Sequence, residues 1–520
     1  MNFKRNLFTI ISLVGSVFAV AGCTNKNAFE RYSIIQEVKD KHEEFVSDDG
    51  SYVKHGDYAD YTAIIDKSGT KKNFGSFYNT FKNEAKKKII DSTGDRKLLV
   101  VPVDFYGFTS DDLKVTPSDY FENLKKSFFG IAKNNRYVSV AEYYNRSSYG
   151  KLRITGKVCE QFYRFSIPFQ TLNTYTSYTR NYVFDEYPKI VEWCKDLLGE
   201  EVLNEYRLDP SDPNSDVAMY LVYTFPADRK TGNRDFFWAY TFEERPLSWT
   251  SYSTLNTGSG LPDAHTFIHE VGHMFGLVDY YPKAGSDDDD TKKEKTETLG
   301  KIDMMDCSVG DHSAFSKMCL NWARPYHVQK SCEISIKSLI NSGEIILIND
   351  NWNGSVFDEY YLIELYSPLG LNNYDSINGN NEAKLPSLPG IKIYHVDARL
   401  GYFNQDTVDG ATTLKFSHYC NENFSGEKFG TVISFAHDNS TYPKATKDQL
   451  HLRNYLYELE LNVIGHPTTD CASDPDLFHR SDEFEVLNFN IINNTHYIVK
   501  VKSLTYYDAT LEITKVEVTE

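Results

Sequence analysis

Between residues 263 and 280 the chain reads Asp-Ala-His-Thr-Phe-Ile-His-Glu-Val-Gly-His-Met-Phe-Gly-Leu-Val-Asp-Tyr, and this stretch restricts the fold more than any other. His269 and His273 stand at i and i+4. On a helix such side chains lie one above the other, ~5–6 Å apart, close enough for both imidazoles to reach one metal ion at ~2.0–2.1 Å. Ala264, Ile268, Val271 and Phe275 mark an apolar stripe on the other face, Asp263 suits the N-cap, and Gly276 suits the position where a helix ends with φ > 0. A reversal at Gly276 is required if Asp279, six residues beyond His273, is to close a His₂Asp set. Three protein ligands leave a fourth position for water, the arrangement of a catalytic zinc rather than a structural one. Glu270 points ~100° around the helix from His269 and is the candidate general base toward a metal-activated water. His265 continues the four-residue spacing, but a straight helix places it ~12 Å from His273, so it is read outside the ligand set.

The remaining sequence sets this helix in a mixed α/β framework. Apolar runs at 98–103 and 216–223 predict strands buried on both faces, and 188–198 predicts a helix with Pro188 in its first turn. Beyond about 330 the period changes to two, with strands expected at 344–348, 360–366, 391–396, 431–436, 456–463, 497–501 and 509–513. That pattern suggests an all-β, sandwich-like C-terminal region. The chain divides into 1–22, a tether and N-terminal region at 23–95 that has the character of a pro-segment, an α/β domain at 96–330 and the β region at 331–520.

Residues 1–22 combine Lys4 and Arg5 with an apolar run and small residues before Cys23, as in a bacterial lipoprotein leader whose cysteine is lipidated after cleavage. The expectation is a chain attached to the outer face of the cell membrane by lipid on Cys23 alone. Losing two cations with the leader takes the formal charge from −18 to −20, which argues against a nucleic-acid partner. The other seven cysteines include no C-x-x-C pair, so neither a disulfide framework nor a thiolate zinc site is expected, with one or two bridges allowed in an oxidising compartment. The insertion at 284–300 carries Asp287, Asp288, Asp289 and Asp290, carboxylates of the kind Ca²⁺ takes; without the alternation of a calcium loop it reads as solvated.

The 263–280 segment resembles the metzincins, in the variant whose third zinc ligand is Asp, and is most similar to the immune inhibitor A family of bacterial secreted metallopeptidases. Stretches at 97–104, 139–152, 303–306, 310–317 and 388–397 match that family in order, so the resemblance covers roughly 97–400. It implies a metzincin-like zinc peptidase domain that hydrolyses peptide bonds of extracellular proteins, with Zn²⁺ on His269, His273 and Asp279 and Glu270 as base. It also implies that Met305 forms an apolar floor beneath the ligands and that His312 lies behind them or acts on the transition state. Residues 237–241 are read either as an edge strand for a substrate peptide or as a core strand. A binding lipoprotein or adhesin with a vestigial peptidase fold is the alternative, and it gives no physical reason to keep all four of His269, Glu270, His273 and Asp279.

Overall fold

The computed structural model describes residues 45–54, 63–65, 71–73, 90–130, 137–174, 180–227, 234–242, 245–252, 262, 264–277, 279, 303–350, 352, 354, 356, 359–380, 383–397, 401–402, 414–415, 472–487 and 496–516. The leader, Cys23, Asp263, the 284–300 insertion and the strands expected at 431–436 and 456–463 lie outside the described residues.

Two short strands, β1 (Phe45–Val46) and β2 (Tyr52–Lys54), form a hairpin, and β3 (Ala63–Ile65) pairs with β4 (Lys71–Asn73). Strand β5 (Gly94–Phe105) is central to the first large sheet, and its last eight residues are buried, as the unbroken apolar run predicts. Next come α1 (Pro117–Phe129), α2 (Val140–Ser147), β6 (Leu152–Val158), β7 (Tyr163–Phe165), α3 (Phe169–Asn173), α4 (Arg180–Leu198) and α5 (Glu200–Asn204). Strand β8 (Met219–Tyr223), α6 (Arg234–Phe237), β9 (Tyr240–Thr241) and β10 (Leu247–Ser251) complete this half. The sheet order is β6-β5-β8-β10-β9, with β7 also beside β5. Every pairing is parallel except that of β9, which runs antiparallel along the edge with Thr241 opposite Ser248.

Alternate side chains of β5 feed two cores: Leu98 and Val100 pack under α1, α2 and the helix that carries His269, while Leu99, Val101 and Val103 pack against α3 to α6. Helix α4 corrects the sequence expectation, since Pro188 lies inside it rather than in its first turn. Proline there forfeits one backbone hydrogen bond. Val183, Tyr187, Ile190 and Cys194 nevertheless continue one buried stripe across it, and burial outweighs that loss. The 237–241 stretch is likewise split, ending α6 and leaving only Tyr240 and Thr241 in the edge strand.

Helices α7 (Ala264–Met274), α8 (Met304–Cys307) and α9 (Ala314–Cys319) lead to β11 (Arg324–Val328), β12 (Cys332–Lys337), β13 (Glu344–Ile348) and β14 (Glu359–Tyr366). After α10 (Asn373–Ile377) come β15 (Gly390–Asp397), the pair β16 (Gly401–Tyr402) and β17 (Leu414–Lys415), and β18 (Glu483–Leu487), β19 (His496–Leu504) and β20 (Asp508–Lys515). A mixed sheet, β1-β2-β11-β13-β14-β15, faces the antiparallel sheet β12-β20-β19-β18 across a shared apolar layer. Ile346 and Ile348 face that layer; Ile345 and Leu347 face the core that holds α2 and α7. The sheet beyond residue 330 therefore has two packed faces, and β2, from the 23–95 stretch, is hydrogen-bonded into it through β11. The protein is thus mixed α/β, with several mixed sheets and no barrel among the described residues. No helix among those residues is long and apolar enough to cross a membrane.

Candidate metal centre

Helix α7 is set down by its apolar side: Ala264, Ile268, Val271 and Phe275 are all buried in the shared core. Its end is closed at Gly276, whose φ of +94° is one that side chains rarely adopt. Leu277 N–H donates to Gly272 O at 3.1 Å and Gly276 N–H to His273 O at 2.9 Å, which satisfies the last carbonyls and turns the chain back. The reversal delivers Asp279. One of its carboxylate oxygens, Oδ1, lies 3.0 Å from His269 Nε2 and 3.1 Å from His273 Nε2.

The opposite nitrogen of each ring is tied to backbone. His269 Nδ1 is 2.7 Å from Met304 O, and His273 Nδ1 is 2.8 Å from Leu277 O. Carbonyl acceptors require Nδ1–H, so both Nε2 atoms are left to face Asp279, as ligating imidazoles need. Two ligands at ~2.0–2.1 Å from a tetrahedral ion are ~3.3 Å apart, so both nitrogen–oxygen separations are within about 0.3 Å of what zinc requires. The chemistry of the donor set, two imidazoles and one carboxylate, also fits that ion. His269, Glu270 and His273 offer ligand atoms within 4.8 Å of one another. The convergence of both rings on Asp279 makes it the better third ligand and leaves Glu270 beside the site.

Burial alone would depress His273, but the Asp279 carboxylate outweighs it and the ring is raised to about 9. Burial pushes Asp279 up, and His273 with the hydrogen bonds from both rings reverses this, holding its carboxyl well below the usual range. Glu270 is raised, because its burial exceeds the opposing effect of His273, His269 and a hydrogen bond from Thr241.

Met305 lies under the helix: a Cβ on Gly272 would come within 2.5 Å of its Sδ. Asp303 caps α8 and fixes this turn, accepting from Met305 N at 2.7 Å and Ser313 N at 2.5 Å. Burial raises its carboxyl to about 6 despite those bonds. His265 stands apart from the ligands, stacked on Tyr137 at 3.9 Å and bonded to Asp375. His312 is enclosed by Tyr143, Tyr144 and Trp322 and 1% exposed. Sequence reasoning passed over Thr241, Asp303, Met304 and Asp375 as parts of this centre. Thr241, Asp303 and Met304 lay in stretches already singled out, though without these roles; Asp375 carried no local signal.

No family model matches the chain, and no curated protein compared with it matches either.

Proposed function

We propose that the protein is a metzincin-like zinc endopeptidase, held at the membrane surface by lipid on Cys23 and acting on extracellular proteins. The observation that carries this reading is the convergence of His269 Nε2 and His273 Nε2 on one oxygen of Asp279, with both Nδ1 atoms committed to carbonyls. His269, His273 and Asp279 would hold the zinc, which supplies a Lewis acid that acidifies a water and polarises a carbonyl. Glu270, buried beside these residues, would accept a proton from the attacking water and return it to the amine nitrogen as the C–N bond breaks. Among the described residues β9 is the last strand of its sheet, the kind of position at which an extended peptide can add by main-chain hydrogen bonds, and this supports a polypeptide substrate.

Wild type and Glu270→Gln, purified from Cys23 onward, would be incubated with a diverse peptide library and their zinc content measured. The reading expects one zinc in each and cleavage lowered about 10²–10⁴-fold in the variant. Equal cleavage by the two, or folded wild type without zinc, would overturn it. Zinc in both with no cleavage by either would instead favour a binding protein.

A further inference from the structure

The hydroxyl of Thr241 touches the proposed base. Its Oγ1 is 2.8 Å from Glu270 Oε2, 2.9 Å from Glu270 O and 2.7 Å from Ser248 Oγ. A hydroxyl has one proton to donate, so the direction of each bond follows from counting. Ser248 is fully buried, and the nearer of its two acceptors is Thr241 Oγ1, since Glu270 O lies 3.5 Å away. Ser248 therefore donates to Thr241, and the proton of Thr241 is free for Glu270. Of the two acceptors within its reach, the carboxylate oxygen at 2.8 Å is nearer than the carbonyl at 2.9 Å.

From this we infer that Thr241 is a positioning residue for Glu270, held in its turn by Ser248. Two features make the arrangement specific to the reaction. Thr241 and Ser248 are directly opposed across the β9–β10 ladder, so the sheet itself sets the position of the donor. Strand β9 is also, among the described residues, the edge along which a substrate peptide would be added. A peptide bound there grips the strand that aims the base, so occupancy of the β9 edge and orientation of Glu270 are coupled through one side chain. The inference rests on the endopeptidase reading above.

The test uses the chain from Cys23 onward with Thr241→Val, Thr241→Ser and Ser248→Ala, each checked for wild-type folding by its melting curve. A peptide cleaved by the wild type would serve for kcat and KM, chelator competition for zinc affinity, and calorimetry for binding of a peptide phosphinate. Thr241→Val, which keeps the shape and loses the donor, is expected to lower kcat about 10–100-fold with KM and zinc affinity changed less than about threefold. Thr241→Ser should recover most of that loss, and Ser248→Ala should fall between them. In a Glu270→Ala background, Thr241→Val should weaken the phosphinate no further, because the residue acts through the carboxylate. Wild-type kcat in Thr241→Val beside a disabled Glu270→Gln would overturn this inference and leave the endopeptidase reading intact. A Thr241→Ser variant as impaired as Thr241→Val would overturn it too, by tracing the effect to packing. Wild type without zinc or cleavage would remove both.

Discussion

His265 and Asp375 form a buried pair across 110 residues of sequence, the ring Nε2 lying 2.9 Å and 3.1 Å from the two carboxylate oxygens. The same carboxylate accepts from Gly310 N at 2.8 Å. One side chain of α10 thus fixes both the first turn of α7, one turn before His269, and the loop that follows α8. The C-terminal region is in this sense part of the wall of the candidate metal centre. Asp375→Ala removes a buried charge partner and is expected to cost about 3–5 kcal/mol, measured by urea unfolding. Zinc affinity should fall about 10–100-fold, as it does when groups that orient ligands are lost. A wild-type unfolding midpoint in this variant would show that the pair holds nothing.

Gly272 and Met305 share a contact that leaves no room for a methyl group, with Sδ 2.5 Å from the place a Cβ would occupy and the Tyr144 hydroxyl at 3.3 Å. Alanine at this position would gain up to about 1 kcal/mol in helix propensity. Overpacking costs about 1–3 kcal/mol and should outweigh that gain. The displaced methionine also moves Met304 O, the acceptor that orients His269. Gly272→Ala is therefore expected to lower both the melting temperature and zinc affinity. Met305→Ala in the same chain should restore part of the zinc affinity while leaving stability low, since it clears the clash and opens a cavity. Zinc affinity lower still in the double variant would refute the steric account.

The parts of this centre that were legible in the sequence are those whose causes are local. Helix α7, its buried stripe, the reversal at Gly276 and the arrival of Asp279 all follow from residues within one short segment, where spacing and a positive φ decide the geometry. Strand β13 fell on the expected residues for the same reason, since five apolar-rich positions between turns permit little else. Thr241 and Asp375 act through partners brought near only by the fold, Asp303 caps the short helix that follows it, and Met304 acts through a carbonyl that every residue possesses. Pro188 misled because its local preference for a first turn was overruled by a stripe extending on both sides. The sheet beyond residue 330 read as independent because alternation reports that both faces are apolar or polar, not which element covers them.

His312 is enclosed by aromatic rings, and neither ring nitrogen has a hydrogen-bond partner among the described residues. Burial, with Lys317 and His269 nearby, holds its ring well below the usual imidazole range, so it is neutral. An imidazole so enclosed presents no exposed atom to a substrate. His312→Phe, which replaces two unpaired polar atoms by carbon, is expected to leave stability unchanged or raise it by about 1 kcal/mol. Peptide cleavage should stay within about threefold of the wild type. A loss of kcat of a hundredfold or more with normal melting would show that the ring takes part in the reaction after all.

Metal removal should make stability depend on pH in a direction set by His273 and Asp279. In the metal-free chain His273 is raised from 6.5 to about 9, so its contribution is fully present below pH 6.5 and is lost as pH rises through 9. Asp279 is held below its ordinary 3.8, so its contribution is present above pH 3.8 and disappears on acidification. The pair is therefore strongest between about pH 4 and 6.5, and the metal-free chain should lose up to about 3 kcal/mol between pH 6.5 and 9. Zinc requires both imidazoles neutral and must displace the shared proton below that window, so its affinity should rise with pH through the same range. Urea unfolding of chelator-treated and zinc-loaded protein at pH 6, 7.5 and 9 checks this. The stability difference between the two forms should widen steadily across the three. A constant difference would mean that His273 carries no extra proton in the metal-free chain, and that Asp279 is poised for the metal without first holding the rings together.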